Sequence, residues 1–338
     1  MKIACLVWAS FSDRMDELAN AVSGERKNIN FGYLPKYLAP LKYLAFFAAT
    51  QAYLFSTRPD VVYAQNPPVF CPYACLPYCK LSGKKLMIDH HNVWSVKSFG
   101  QSVISQPLAL LEKVAGMLAY ANTVPHSVWK AALERFSAKR VLVVKDFVAA
   151  NPFPRDEAVR RSISTSGLIG IASGHQGLPE ERVEVEAMAA EAASGATLAI
   201  TGPPERLASR INSLGPLSHV KYMGYLPKSE YDALKASCDF GLNISDEPYT
   251  VNHVLFEYAA SSLPTISTRR EVIESVFGDS LVYVEDSDAR EVTERIKSFL
   301  VNPSLLSEYR NRMSRKFHEL ERSRAEELEA LQLLITAK

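Results

Sequence analysis

From its amino terminus the chain alternates short runs of consecutive apolar residues with longer stretches in which apolar positions recur every three or four residues. In the first half the apolar runs fall at 3–8, 61–64, 85–89, 123–125 and 141–144, and the helical spacing at 13–22, 37–56, 72–82, 107–120 and 127–136. A run apolar at every position fits a strand covered on both faces. Such strands alternating with helices predict a parallel sheet between two helical layers. A polar stretch without period, 151–166, reads as a linker. The alternation then resumes, with strands at 168–172, 197–201, 220–222, 240–243, 264–267 and 281–284. Helical spacing falls at 180–193, 228–237, 253–261, 270–277 and 289–300, and a long charged helix closes the chain at 304–334. The expected architecture is α/β, with two doubly wound domains in tandem, at 1–150 and 167–303, and residues 304–338 crossing back to the first. Ligands of such folds bind beyond the carboxyl ends of the strands, here expected in a cleft between the domains.

Composition narrows the class. With 338 residues, 47% hydrophobic and 22% charged, the chain has a globular balance that excludes disordered, collagen-like and disulfide-scaffold readings. The net charge of +1 conceals a division: residues 1–150 carry 17 Lys/Arg against 9 Asp/Glu, a net of +8, and residues 151–338 carry 21 against 28, a net of −7. A basic half suits phosphates or an anionic membrane surface. No run reaches the ~18 apolar residues of a spanning helix. The stretch 33–55, rich in aromatics and carrying Lys36 and Lys42, fits a helix lying in a headgroup layer; the plainer reading is a core helix with some exposed tyrosines. Met1 to Val7 lead straight into a strand pattern rather than a signal peptide, so the expected location is cytoplasmic, peripheral on the cytoplasmic face of a membrane. The alternating Arg and Glu of the last helix form a solvated face, not a nucleic-acid patch.

Several chemistries lack their motif. Gly170, Gly174 and Gly177 miss the close first pair of a dinucleotide fingerprint, and neither a P-loop nor a GxSxG elbow is present. Cys71, Cys75 and Cys79, spaced by four, share one helix face and read as buried thiols rather than metal ligands. Asp286-Ser287-Asp288 lies between a strand and a helix, where capping explains it better than metal binding. No metal and no cofactor are expected.

The most informative segment is 240–267: an apolar strand, a polar loop, a helix starting near Thr250, Val251 and Asn252, and a second buried strand. A helix start offers free N–H groups and the positive end of a dipole to a diphosphate. About a turn and a half on, Glu257 would face the same place, able to accept two hydroxyl hydrogen bonds, as from a ribose. An ordinary αβ unit with Glu257 in a surface pair is the alternative.

That segment resembles the donor site of GT-B glycosyltransferases, whose helix reads K-L-x-E-A/Y-x-A-x-G-x-P; Leu255-Phe256-Glu257-Tyr258-Ala259-Ala260 and Pro264 match. The preceding 220–239, with Gly224, Tyr225 and Pro227, is similar to the family's strand, glycine, loop and helix, and 196–202 to its strand ending in glycine at Gly202. The resemblance covers most of 168–300 and implies the GT-B arrangement of two Rossmann-like domains. In the first half, Gln65-Asn66-Pro67-Pro68 and Gly83-Lys84-Lys85-Leu86-Met87-Ile88-Asp89-His90-His91-Asn92 resemble the Q-N-P-P and G-x-K-L-x-I-D-W-H-N of a narrower group. It is the eukaryotic β-1,4-mannosyltransferase family that adds the first mannose to dolichol-linked chitobiose, of which this chain reads as a prokaryotic relative. Three positions depart from the GT-B pattern. Tyr249 stands where many members carry a first glutamate, with Glu247 the nearest acid; Val254 stands where a lysine is usual, beside His253; and Ser173-Gly174-His175-Gln176 replaces an Arg/Lys pair.

Sugar transfer from a nucleoside diphosphate requires a stabilised leaving group, an oriented sugar and a deprotonated acceptor hydroxyl. The resemblance implies that Glu257, His253, Asn252, Val251, Thr250, Gly224, Tyr225, Gly202, His175 and Glu247 bind the donor, with Arg269 a further cation. It also implies inversion and a base in the first domain. Asp13 and Asp89 are the candidates, with His91 a third; an N-cap is the alternative for Asp13. Asn66, Asn92, Phe46 and Phe47 are expected on the acceptor side. The leading expectation is a metal-independent transferase moving a hexose, mannose by resemblance, from a GDP- or UDP-linked donor to a lipid-linked or polysaccharide acceptor. A catalytically weak nucleotide-sugar-binding partner protein and a sugar-nucleotide epimerase are the alternatives.

Overall fold

Strands form where apolar residues stand at consecutive positions. The computed structural model describes residues 1–10, 12–32, 36–91, 105–136, 138–146, 148–175 and 178–337, and the side chains of all of these but 13, 36, 105 and 204–206. The chain divides into two units, Met1–Asp146 with Ser323–Lys338, and Phe147–Arg322.

The first unit contains β1 (Ile3–Val7), α1 (Asp13–Ala21), β2 (Glu25–Asn28), α2 (Ala39–Thr57), β3 (Val61–Asn66), α3 (Phe70–Ser82) and β4 (Lys85–His90). It continues with α4 (Ser105–Leu118), β5 (Ala121–Val124), α5 (Ser127–Arg135) and β6 (Val141–Val143). Its six strands are parallel in the order β2-β1-β3-β4-β5-β6. β1 and β3 are buried throughout, which removes their unbroken apolar sequence from water. One face of the sheet packs Phe46, Leu54, Cys71, Cys75, Tyr78, Cys79 and Ala115 from α2, α3 and α4. The other packs Met15 and Leu18 of α1. The three α3 cysteines are thus core residues, and burial pushes the Cys79 thiol up to about 12.

The second unit contains α6 (Glu157–Ile163), β7 (Leu168–Ala172), α7 (Val183–Ala193), β8 (Ala196–Thr201), α8 (Pro204–Asn212), β9 (Val220–Gly224), α9 (Lys228–Ser237) and β10 (Phe240–Asn243). α10 (His253–Ala260), β11 (Thr265–Thr268), α11 (Glu271–Phe277), β12 (Val282–Val284) and α12 (Ala289–Val301) follow. Its parallel sheet runs β12-β11-β10-β7-β8-β9, so the chain starts in the middle, winds to one edge and returns to wind to the other. The strand order therefore switches between β7 and β10, which places the ligand crevice of such a sheet beyond their carboxyl ends. α13 (Pro303–Thr336) spans both units: Leu305, Leu306 and Tyr309 pack on the second core, and Leu331 and Ile335 enter the first.

Three local features differ from the sequence reading. The expected linker 151–166 contains α6, capped by Asp156 and fixed by Arg160, which donates to Asp239 Oδ2 at 3.0 Å and to Ser237 O. Seven residues are too few for a helical period to stand out. β2, Glu-Arg-Lys-Asn, is a polar strand at the sheet edge. Charge there hides the strand and blocks further pairing. The N-cap of α1 is Ser12, whose Oγ accepts from Met15 N, so Asp13 is the first helical residue rather than the cap. Asp288 does cap α12, accepting from Arg290 N at 2.9 Å.

Candidate functional site

In the second unit the loops after β7 and β10 and the start of α10 come together at the switch point. Gly174, at φ +78°, makes this possible: a Cβ there would lie 3.1 Å from Val254 Cβ, so only glycine lets the β7 loop rest on α10. Val254 is thereby a packing residue, and α10 carries no lysine at that position. Asn252 occupies the N-cap of α10, yet its side chain does not cap. Its Nδ2 donates instead to Asn243 Oδ1 at 2.7 Å, and Asn243 Nδ2 donates to Ser267 Oγ at 3.0 Å. Among the described residues no side chain caps the first turn; Leu255 N turns to Asn252 O at 3.0 Å, which leaves the amides of His253 and Val254 for an anion. Val251 is buried, His253 is exposed at the first helical position, and Thr250 Oγ1 is a buried atom without a hydrogen-bond partner among the described residues. Glu247 Oε1 accepts from Tyr249 N at 3.1 Å, tying down the turn before the helix.

Glu257 lies farther along α10, 20% exposed at its side chain. Its Oε2 accepts from the Tyr231 hydroxyl at 2.5 Å and from Lys235 Nζ at 3.2 Å. Gly202 and Gly224 close the ends of β8 and β9, with Gly202 N donating to Gly224 O at 3.0 Å. Tyr225, just beyond, is 82% exposed, leaving its ring free for contact.

His175 differs from its expected role as a phosphate ligand. It is buried, with Nε2 2.8 Å from Glu186 Oε2 and Nδ1 3.9 Å from Glu181 Oε2. Burial works against its charge, but the two carboxylates outweigh burial and raise its pKa. Glu186 also accepts from Ile244 N at 2.9 Å, so the cluster ties the β7 loop to the β10 loop. The His175 ring is thus engaged by carboxylates within the protein. Arg269 is likewise engaged, with Glu274 at 2.5 Å and Glu285 at 2.8 Å.

In the first unit the β4 end divides the sequence candidates. Asp89 is fully buried: Arg14 grips it at 2.8 to 3.2 Å through Nε and Nη2, and Thr123 donates to it at 2.8 Å. Arg14 also donates to Asp146 at 2.7 Å. Both Asp89 oxygens are thus taken up by Arg14 and Thr123 in the interior, out of reach of an acceptor hydroxyl, which argues against it as the base. Asn66 is also interior. Its amide donates to Glu112 Oε1 at 2.6 Å and lies 3.2 Å from His90 Nδ1, so it does not face an acceptor. Its backbone carbonyl accepts from His91 N at 2.8 Å and anchors the exposed His91 at the end of β4. Of the two expected acceptor-side phenylalanines, Phe46 is buried and stacked on Trp8 with ring centroids 4.8 Å apart, whereas Phe47 is exposed. Asn92 lies outside the described residues.

Sequence reasoning overlooked Tyr231 and Lys235. Their spacing of four places them on one face of α9, which is the only signal the sequence offers. A cavity of about 310 Å3 lies at the opposite, amino end of β4, lined by Lys80, Lys84, Lys85 and Tyr120 among others. Its Lys84 is paired with Asp60, and Lys85 with carbonyls at the end of α13.

The two parallel sheets and their winding are those of the GT-B fold. Residues 182–330 match the family described as glycosyl transferase-like. Among solved structures, sucrose-phosphate synthase from Thermosynechococcus elongatus superposes with a TM-score of 0.81 at 14% identity, covering 98% of each chain. Anabaena HepE in complex with UDP-glucose gives 0.72 at 14% identity, over 98% of this chain and 100% of HepE. WaaG, a glycosyltransferase involved in lipopolysaccharide biosynthesis, gives 0.71 at 13%, over 99% and 100%. No curated protein matches the chain in sequence.

Proposed function

We propose that the protein is a glycosyltransferase that moves a hexose from a nucleoside-diphosphate sugar to a lipid-linked or glycan acceptor. The observation that carries this reading is the pairing, at the β7/β10 switch point, of an uncapped helix start with a carboxylate on the same helix. The first-turn amides of α10, with His253, receive the diphosphate, and Glu257 accepts the ribose hydroxyls. Tyr225 covers the base. The acceptor oxygen bonds to the anomeric carbon as the carbon–oxygen bond to the diphosphate breaks. The bonding pair leaves with the diphosphate, and the hydroxyl proton passes to a base. His91 and Asp13 are the remaining candidates for that base.

Mannose as the sugar rests on the likeness of the segments around Asn66 and His91 to the chitobiose mannosyltransferases. HepE was solved with UDP and glucose, which keeps a UDP-linked donor in view. Transfer without a metal ion and action at a cytoplasmic membrane face belong to the same reading. Among the described residues no helix is long and apolar enough to cross a membrane. Support for a membrane surface comes from α2, whose Leu41, Leu44, Phe47 and Phe55 are exposed.

Incubation with GDP-mannose or UDP-glucose and a bacterial lipid extract tests the reading. Labelled sugar should enter the lipid fraction, EDTA should leave the rate unchanged, and His91→Ala should lower it at least about 100-fold. A second reading, a nucleotide-sugar-binding protein without turnover, is favoured by the compensation of His175 and Arg269 by carboxylates. Donor binding with no transfer to any acceptor would select it.

A further inference from the structure

Glu257 has one oxygen committed and one open. Both of its protein hydrogen bonds fall on Oε2, from Tyr231 and Lys235, and Oε1 has no partner among the described residues. Each donor is itself fixed. Lys235 Nζ, with a side chain only 3% exposed, also binds Asp232 Oδ1 at 2.9 Å and lies 4.1 Å from the Tyr231 ring centroid. Asp232 is held in turn by Lys228 at 3.0 Å. The Tyr231 hydroxyl lies 2.8 Å from Ser173 Oγ, which lies 2.9 Å from the Tyr258 hydroxyl. The Tyr231 proton goes to Glu257, so the Tyr231 oxygen accepts from Ser173, while the Tyr258 hydroxyl also has the carbonyl of Ile171 within 3.2 Å as its acceptor. Burial first, and then the Glu257 charge, push the Tyr231 phenol well up, so it stays a donor.

We propose that Tyr231 and Lys235 are positioning residues that orient Glu257 for the ribose hydroxyls and thereby set the preference for ribonucleotide over deoxyribonucleotide donors. The inference rests on the donor-site reading above. A carboxylate alone on a helix samples several rotamers and gives up that freedom on binding. Two rigid donors on one oxygen restrict it beforehand and leave the other oxygen as the acceptor.

The test is calorimetric binding of UDP against 2′-deoxy-UDP, and of GDP against 2′-deoxy-GDP, to the full chain. The wild type is expected to favour the ribonucleotide by about tenfold or more, the worth of one hydrogen bond to a charged group. Glu257→Ala should abolish the preference. Tyr231→Phe should reduce it severalfold with deoxynucleotide affinity and Tm retained, and Lys235→Met should reduce it likewise at a lower Tm, because Asp232 and Glu257 lose a buried cation. A merely structural role would weaken both nucleotides alike. If Lys235→Met does not fold, Tyr231→Phe decides, since it keeps the ring beneath Lys235 and removes one oxygen. An unchanged preference in the variants, with wild type and Glu257→Ala behaving as expected, overturns this inference alone. A wild type that binds neither ribonucleotide, or shows no preference, overturns the donor-site reading with it.

Discussion

At the scale of single residues, position after a strand does not make a carboxylate reactive. Asp89 and His91 both stand at the carboxyl end of β4, yet Asp89 turns inward to Arg14 while His91 is exposed. Asp89→Asn is therefore expected to act through stability, costing about 3–5 kcal/mol because Arg14 loses the more deeply buried of its two carboxylate partners. Urea unfolding measures this, and an intact stability with lost turnover would return Asp89 to the chemistry. His175 gives a pH signature. Its raised pKa means that the folded chain holds the proton more tightly than the unfolded one, where a histidine titrates near 6.5. The stabilisation is complete below about pH 6.5 and is lost as pH rises through the folded value. Unfolding midpoints should fall over that interval in the wild type, and the fall should be absent in His175→Gln.

At the scale of elements, neighbouring positions separate core from surface. Phe46 and Phe47 stand side by side in α2, one stacked on Trp8 and one exposed. Phe46→Ala should cost about 3–5 kcal/mol. Phe47→Ser should stay within about 0.5 kcal/mol yet weaken flotation with anionic vesicles. At the end of β8, Gly202 has φ +148°, and a Cβ there would meet Leu207 Cδ1 at 2.4 Å and His175 O at 3.1 Å. Gly202→Ala should cost about 1–3 kcal/mol in urea unfolding, through strain and crowding together. The core elements were legible because burial on both faces demands unbroken apolar runs, as in β1, β3 and β8. β2 and α6 were not, since an edge strand needs no apolar run and seven residues hold too little period. Site legibility followed the same division. Glu257 and the start of α10 sit in a recognisable segment, whereas Tyr231, Lys235 and the Arg14 grip on Asp89 depend on tertiary contacts that spacing does not encode.

At the scale of the whole molecule, charge and exposed apolar surface are divided unequally. Residues 1–150 carry the net positive charge, and most of the large exposed apolar side chains belong to the first unit, including Tyr37, Leu41, Leu44, Phe55, Leu81 and Leu110. The second unit carries the doubly wound sheet whose switch point gathers Glu257 and the start of α10, the residues proposed to bind the donor. The account's central claim is that Glu257 and the start of α10 bind a nucleoside-diphosphate sugar. It is tested most directly by thermal stabilisation of wild type and Glu257→Ala with a panel of GDP-, UDP- and dTDP-sugars. The account predicts a selective rise in Tm with one nucleotide in the wild type, abolished in the variant. No shift with any member, or the same shift in both proteins, would contradict it.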